Sequence, residues 1–300
     1  MTTTTSGAKQ PAAASQTPYT TESVTSRDGV VIGYRQLGHG PGIVLLHGAM
    51  ESAQSHIQLA EALADAFTIY APDRRGRGRS GPCGAGYSIQ TEVEDVDALL
   101  TKTGAHAVFG VSSGGLIALQ AALTLPAIRK VALYEPALIV NDSLSTAFLP
   151  RYDQEIAQGR VAAALVTGMK GAQMGPPIFN AMPRWLLELL TTMMVNSEDK
   201  KASDGDVTMR ALAPTLHNDF QLVAETRGTL ESYSGIQAET LLLGGSTSPA
   251  YLKAALDALE QVLPHAQRIE FPGLNHGGSG NTNQGGQPAQ VAQALRRFFA

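Results

Sequence analysis

Cysteine is almost missing from this sequence of 300 residues. Cys83 stands alone, which excludes an intrachain disulfide framework and any metal-binding cysteine pair. Charge is sparse as well, at 16% of residues, and the balance is slightly acidic with a formal net charge of −4. That balance argues against binding to nucleic acid or to an anionic membrane. Long apolar runs are absent too: no stretch approaches the roughly 18 uncharged apolar residues of a membrane span. The first twenty residues, rich in Thr, Ala and Ser, lack the charged n-region and apolar h-region of a secretory signal. The expectation is a soluble, cytoplasmic chain with a disordered leader over residues 1–20.

What the sequence does have is apolar content, 43% of residues, enough for a large core. Short apolar runs bounded by Gly, Pro or Asp fall at 30–34, 42–46, 67–71, 107–111 and 131–134, and resume at 240–243 and 268–271. Helix-compatible segments alternate with them at 53–65, 88–103, 113–125, 250–262 and 288–299. Continuous apolar strands alternating with helices predict an α/β fold, a mostly parallel central sheet with helices on both faces. Between about 137 and 235 strand patterns vanish, so a helical insertion is expected to interrupt a core formed by 21–136 and 236–300.

One turn carries a chemical signal. Gly110-Val111-Ser112-Ser113-Gly114 fits G-x-S-x-G directly after an apolar strand and before a helical segment. A sharp strand-to-helix turn of this kind strains and exposes its central serine, and small flanking residues make the turn sterically feasible. The frame selects Ser112, because centring on Ser113 would put Val111 where a glycine belongs.

Two further stretches lie in the same order along the chain: His47-Gly48-Ala49-Met50 after the run 42–46, and Asp73-Arg74-Arg75-Gly76-Arg77-Gly78-Arg79-Ser80 after the run 67–71. With the serine turn and a late histidine, they resemble the α/β-hydrolase family, with its HG-x turn, D-x-R-G-x-G-x-S loop and serine elbow. The resemblance spans roughly 28–136 and 238–300, and makes the insertion the family's variable cap. It implies Ser112 as nucleophile and His276, in Gly273-Leu274-Asn275-His276-Gly277-Gly278, as base. It also implies an oxyanion hole from the backbone N–H groups of Ala49 (or Met50) and Ser113. His47 is expected to be structural. The arginine cluster is expected to be a solvated loop.

The sequence departs from the family at the acid. After the run 240–243 it reads Gly244-Gly245-Ser246-Thr247-Ser248, with no carboxylate. Glu135, ending the run 131–134 one strand from that of Ser112, is the replacement expected at the sheet's carboxyl edge. Pro136 is expected to hold it extended, and the resembling fungal zearalenone lactonases carry a glutamate after this strand. A cap carboxylate, Asp142 or Asp219, is the alternative.

The resulting expectation is a serine hydrolase that cleaves an ester or lactone, through Ser112, His276 and Glu135 and with no metal or organic cofactor. Other triad chemistry (C–C hydrolysis, a lyase reaction or perhydrolysis) and a non-catalytic ligand-binding member are the alternatives. Methionines cluster in the insertion beside Trp185, so a hydrophobic small-molecule substrate touching Met50, Trp185 and Met193 is expected.

Overall fold

The computed structural model describes residues 19–175, 178–203 and 205–300. The expected leader over 1–20 lies almost entirely outside these residues. Eight strands form one sheet in the order β1-β2-β4-β3-β5-β6-β7-β8. They are β1 (Thr20–Thr25), β2 (Val31–Gly38), β3 (Gly42–Leu46), β4 (Thr68–Pro72), β5 (Ala107–Val111), β6 (Lys130–Tyr134), β7 (Glu239–Gly245) and β8 (Ala266–Phe271). β1 and β2 pair antiparallel at one end, and every pairing from β4 through β8 is parallel.

The inner strands sort their side chains by parity, as a sheet covered on both faces requires. Val44, Leu46, Val108, Val131 and Leu133 meet one apolar cluster. Ile43, Leu45, Phe109, Val111, Ala132 and Tyr134 meet the other. The first cluster is closed by α2 (Ile89–Thr103), α3 (Ser113–Thr124) and α10 (Ala250–Val262), the second by α1 (Ile57–Leu63) and α11 (Pro288–Phe299).

Between β6 and β7 the described chain is helical and holds no strand. It runs through α4 (Leu149–Ala157), α5 (Val161–Gly171), α6 (Ile178–Ala181), α7 (Arg184–Lys201), α8 (Met209–Leu212) and α9 (Leu216–Glu225). β1 is the strand that the apolar pattern does not reveal. Its sequence TTESVT is polar and mostly exposed, and it is held by ladder hydrogen bonds to β2 rather than by burial.

Candidate active site

β5 delivers Ser112 at its carboxyl end, and α3 starts at the next residue. Ser112 has φ 54° and ψ −120°, a conformation costly for a residue with a side chain. The two motif glycines make the turn fit. A Cβ on Gly110 would run into the carbonyl of Gly114, and one on Gly114 would run into the carbonyls of Leu46 and His47. Ser112 N–H donates to the Tyr134 carbonyl at 3.0 Å, tying the turn to β6. Among the described residues neither Ser112 Oγ nor His276 Nε2 has a hydrogen-bond partner, and both residues line one cavity of about 430 Å³.

Glu135 and His276 come together although 141 residues separate them: Nδ1 of His276 donates to Glu135 Oε2 at 2.7 Å. That bond places the ring proton on Nδ1 and leaves Nε2 free as an acceptor. Glu135 is fully buried, and its other oxygen accepts from Gly245 N–H at 2.7 Å. The glycines that end β7 therefore serve the acid that follows β6. A Cβ on Gly244 would lie 3.1 Å from Glu135 Oε1. The expected extended backbone at Glu135 is not found. Its φ is 47°, because the chain turns sharply there so that the carboxylate can reach both Gly245 and His276. Of the alternative acids, Asp142 is exposed and pairs with Arg227, and Asp219 borders the cavity but is engaged by Arg74, Arg77 and Ser113 Oγ rather than by His276.

The loop after β3 borders the same cavity through Ala49 and Met50. Met50 has φ 57°. Neither Ala49 N–H nor Ser113 N–H donates to a protein acceptor among the described residues, and Ser113 opens α3, where backbone donors are unpaired. His47 is buried and packs by hydrogen bonds alone. Its Nδ1 faces the Gly48 carbonyl at 3.0 Å, and its Nε2 accepts from Arg74 N–H at 3.1 Å. Burial, with Arg77 and Arg74 close by, holds its pKa well below the ordinary histidine value.

Of the four arginines in the cluster only Arg79 is exposed; the expected solvated loop is not found for the other three. Arg74, Arg75 and Arg77 are each 2–3% exposed, since each finds carboxylates that repay its desolvation. Arg75 binds Asp95 and Asp28. Arg74 binds Glu92 at 2.8 Å and, through Nη1, both Ser113 Oγ at 3.0 Å and Asp219 at 2.8 Å. Arg77 binds the other oxygen of Asp219 and the Gly48 carbonyl. Burial opposes the charge on Arg74, but Glu92, Tyr87 and Asp219 outweigh it and raise its pKa. Asp219 belongs to α9, so the helical segment is fastened to the core through buried charge beside Ser112.

Met50, Met169, Met174, Met194 and Met209 line the cavity, together with Phe220. Trp185 and Met193 do not. On α7 they share an outward stripe with Leu189, at 67%, 52% and 50% exposed, while Leu187 and Val195 are buried on the opposite side. The apolar composition of α7 could not indicate which of its faces turns inward. Tyr251 also borders the cavity, its phenol pushed up to about 12 by burial and the nearby Glu135 charge. Glu51 is the site residue that sequence reasoning passed over, and no local spacing marks it; Asp219 enters there only as an alternative acid, and its contacts with Arg74, Arg77 and Ser113 are not foreseen.

With a strained serine at the tip of β5, a His–Glu pair on the neighbouring loops and a doubly covered parallel sheet, residues 43–294 match the alpha/beta hydrolase family, and the chain belongs to it. It is therefore a hydrolase of the α/β fold. Among curated proteins it is similar to the pimeloyl-[acyl-carrier protein] methyl ester esterase of Xanthomonas axonopodis pv. citri, 25% identical over 265 residues, covering 88% of this chain and 97% of that protein. Among solved structures it is similar to an alpha/beta hydrolase from Sphaerobacter thermophilus, with a TM-score of 0.75 and 30% identity over 93% of this chain and 100% of that one. An esterase from Rhodococcus shares the fold, with a TM-score of 0.64 at 22% identity over 93% of this chain and 98% of that one.

Proposed function

We propose that this protein is a serine hydrolase that cleaves a carboxylic ester or lactone of a hydrophobic small molecule. One observation carries the reading: the 2.7 Å bond from His276 Nδ1 to a buried carboxylate, on a histidine that lines the same cavity as Ser112. Nε2 takes the Ser112 proton as Oγ attacks the substrate carbonyl. The negative oxygen of the tetrahedral intermediate is held by the N–H groups of Ala49 and Ser113. Collapse expels the alkoxide, which leaves with the proton from Nε2. Water, deprotonated by the same nitrogen, then attacks the acyl-enzyme and releases the acid. Glu135 stays ionised throughout, holding the tautomer and stabilising the imidazolium.

The ester chemistry is supported by the methyl ester esterase relative, and the preference for apolar substrates by the methionine-rich wall. The helices between β6 and β7 act as a cap, since α5, α7, α8 and α9 each contribute a residue to the cavity. Replacing Ser112 with Ala should abolish hydrolysis of p-nitrophenyl esters and labelling by a fluorophosphonate while leaving the fold intact. A phosphonate adduct found by mass spectrometry on Ser113, or hydrolysis persisting in the variant, would remove the nucleophile assignment. A series of esters of increasing chain length, with several lactones, defines the acyl preference.

A further inference from the structure

Gly48 N–H does not point into the cavity. It donates to Glu51 Oε2 at 2.6 Å, the shortest backbone donor contact of the loop that holds Ala49 and Met50. The same oxygen faces His56 Nε2 at 3.0 Å, and the opposite ring nitrogen, Nδ1, faces the carbonyl of Ser279 at 3.1 Å. Ser279 lies three residues beyond His276, in the loop that follows β8. A single imidazole, 1% exposed, therefore joins the loop of the candidate oxyanion donors to the loop of the candidate base. Side-chain and backbone bonds from Asn281 to Gln54, Ser55 and Gln58 run parallel to this link, fixing the second loop against the turn that bears His56.

Both atoms that His56 meets are acceptors. A neutral imidazole has one N–H and can satisfy only one of them, leaving a lone pair against the other. The doubly protonated ring satisfies both. Burial opposes the charge of His56, but the Glu51 carboxylate outweighs it and raises its pKa above the ordinary value. Burial likewise pushes the Glu51 carboxyl up, and the charge and hydrogen bond of His56 with the Gly48 N–H more than reverse it. The other titratable groups facing this pair are His47, on the same loop as Glu51, and His276.

We propose that His56 and Glu51 are positioning residues: as an imidazolium–carboxylate pair they hold the Gly48–Met50 backbone at a fixed distance from the His276 loop, so that removing one proton from His56 slackens the oxyanion hole. The catalytic meaning of this rests on the serine-hydrolase reading; the hydrogen-bond chain itself does not. Neither residue touches the reacting atoms. When the proton leaves, either the Ser279 contact or the Glu51 contact is lost. If the second fails, Gly48 N–H shares its acceptor with no partner that fixes it.

The test has an arm that needs no turnover. Amide and imidazole resonances of the full-length protein are followed by NMR from pH 6 to pH 10. His56 should show two ring N–H protons at neutral pH, and the Gly48 amide, shifted downfield by its short bond, should move with the same midpoint as His56. His56→Gln should abolish that movement. A Gly48 amide that ignores the His56 titration, or one that still moves in His56→Gln, overturns the proposal. The second arm reads kinetics. Displacing rather than deleting an oxyanion donor should lower kcat on the order of tenfold, less than the loss of a donor outright, with KM little changed. The unaltered protein should show an alkaline fall of kcat, and in His56→Gln and Glu51→Gln alike that fall should disappear. A role in stability alone would lower Tm and leave kcat and its pH profile where they were, which would also overturn it. Loss of the serine-hydrolase reading would show separately, as hydrolysis surviving Ser112→Ala.

Discussion

Glu135 concentrates the chemistry of one residue into two bonds, to His276 Nδ1 and to Gly245 N–H, with its own side chain fully buried. Exchanging it for Gln keeps the size and removes the charge, and the amide can then present its NH₂ to the imidazole and select the wrong tautomer. In a serine protease the analogous loss of charge lowers turnover about ten-thousand-fold. We expect Glu135→Gln to lower kcat by about two to four orders of magnitude with a change in Tm of a few degrees. Steady-state kinetics beside thermal melts decide it, and near-normal kcat would end the assignment of Glu135. Ser113 offers the contrast. Its N–H is the proposed oxyanion donor, while its Oγ donates to Asp219 at 2.8 Å. Ser113→Ala should therefore keep most of its turnover and lose about 1.5–3 kcal/mol of stability, the range for a hydrogen bond to a charged group.

At the scale of elements, α9 is held to the core by the apolar side chains of Leu216, Phe220, Leu222 and Val223 and by Asp219, whose two oxygens each meet an arginine from the loop after β4. Removing one partner of a buried pair leaves the others uncompensated and costs about 3–5 kcal/mol. Asp219→Ala should show that loss in chemical denaturation. It should also raise KM for long-chain esters, because Asp219 and Phe220 of α9 both border the cavity. A variant as stable as the parent would show that the cap is fastened elsewhere. The elements themselves were largely legible in the sequence. α10 and α11 run over Ala250–Val262 and Pro288–Phe299, as their apolar spacing indicates, and β3 and β5 coincide with their apolar runs. The elbow was legible because its glycines answer to local sterics. The ion cluster was not. Arg74 and Asp219 lie 145 residues apart, and an arginine in a glycine-rich loop has the same sequence whether water or a carboxylate meets it. The polar β1 was invisible for a related reason: its partner is a backbone ladder, which leaves no trace in side-chain pattern.

For the whole molecule, two buried histidines pull stability in opposite directions with pH. The folded-state pKa of His47 lies well below 6.5, so below that pH the unfolded chain takes up a proton that the folded chain refuses. Stability therefore falls as pH drops from about 6.5, by up to about 1.4 kcal/mol per pH unit for one proton. The pKa of His56 is raised in the fold, so its contribution is present below 6.5 and fades as pH climbs through its folded value. Denaturation midpoints should thus peak near neutrality. His47→Gln should flatten the slope between pH 6.5 and 5, above the range where Glu51, Glu155 and Asp28, all lowered in the fold, begin to contribute. An unchanged acid slope in that variant would place the effect on other groups.

The arginine pair that grips Asp219 also governs what can be recombined. Arg74 and Arg77 arrive with the sheet; Glu92 answers Arg74 from within the core, while the Asp219 carboxylate that both arginines meet arrives with the insertion. A foreign cap spliced between β6 and β7 must bring a carboxylate to the place of Asp219 or leave the buried Arg77 guanidinium without one. Domain exchange in this protein is therefore a problem of matching one charge before it is a problem of matching shape, and a chimera built with Arg77 made apolar should tolerate caps that the native core rejects.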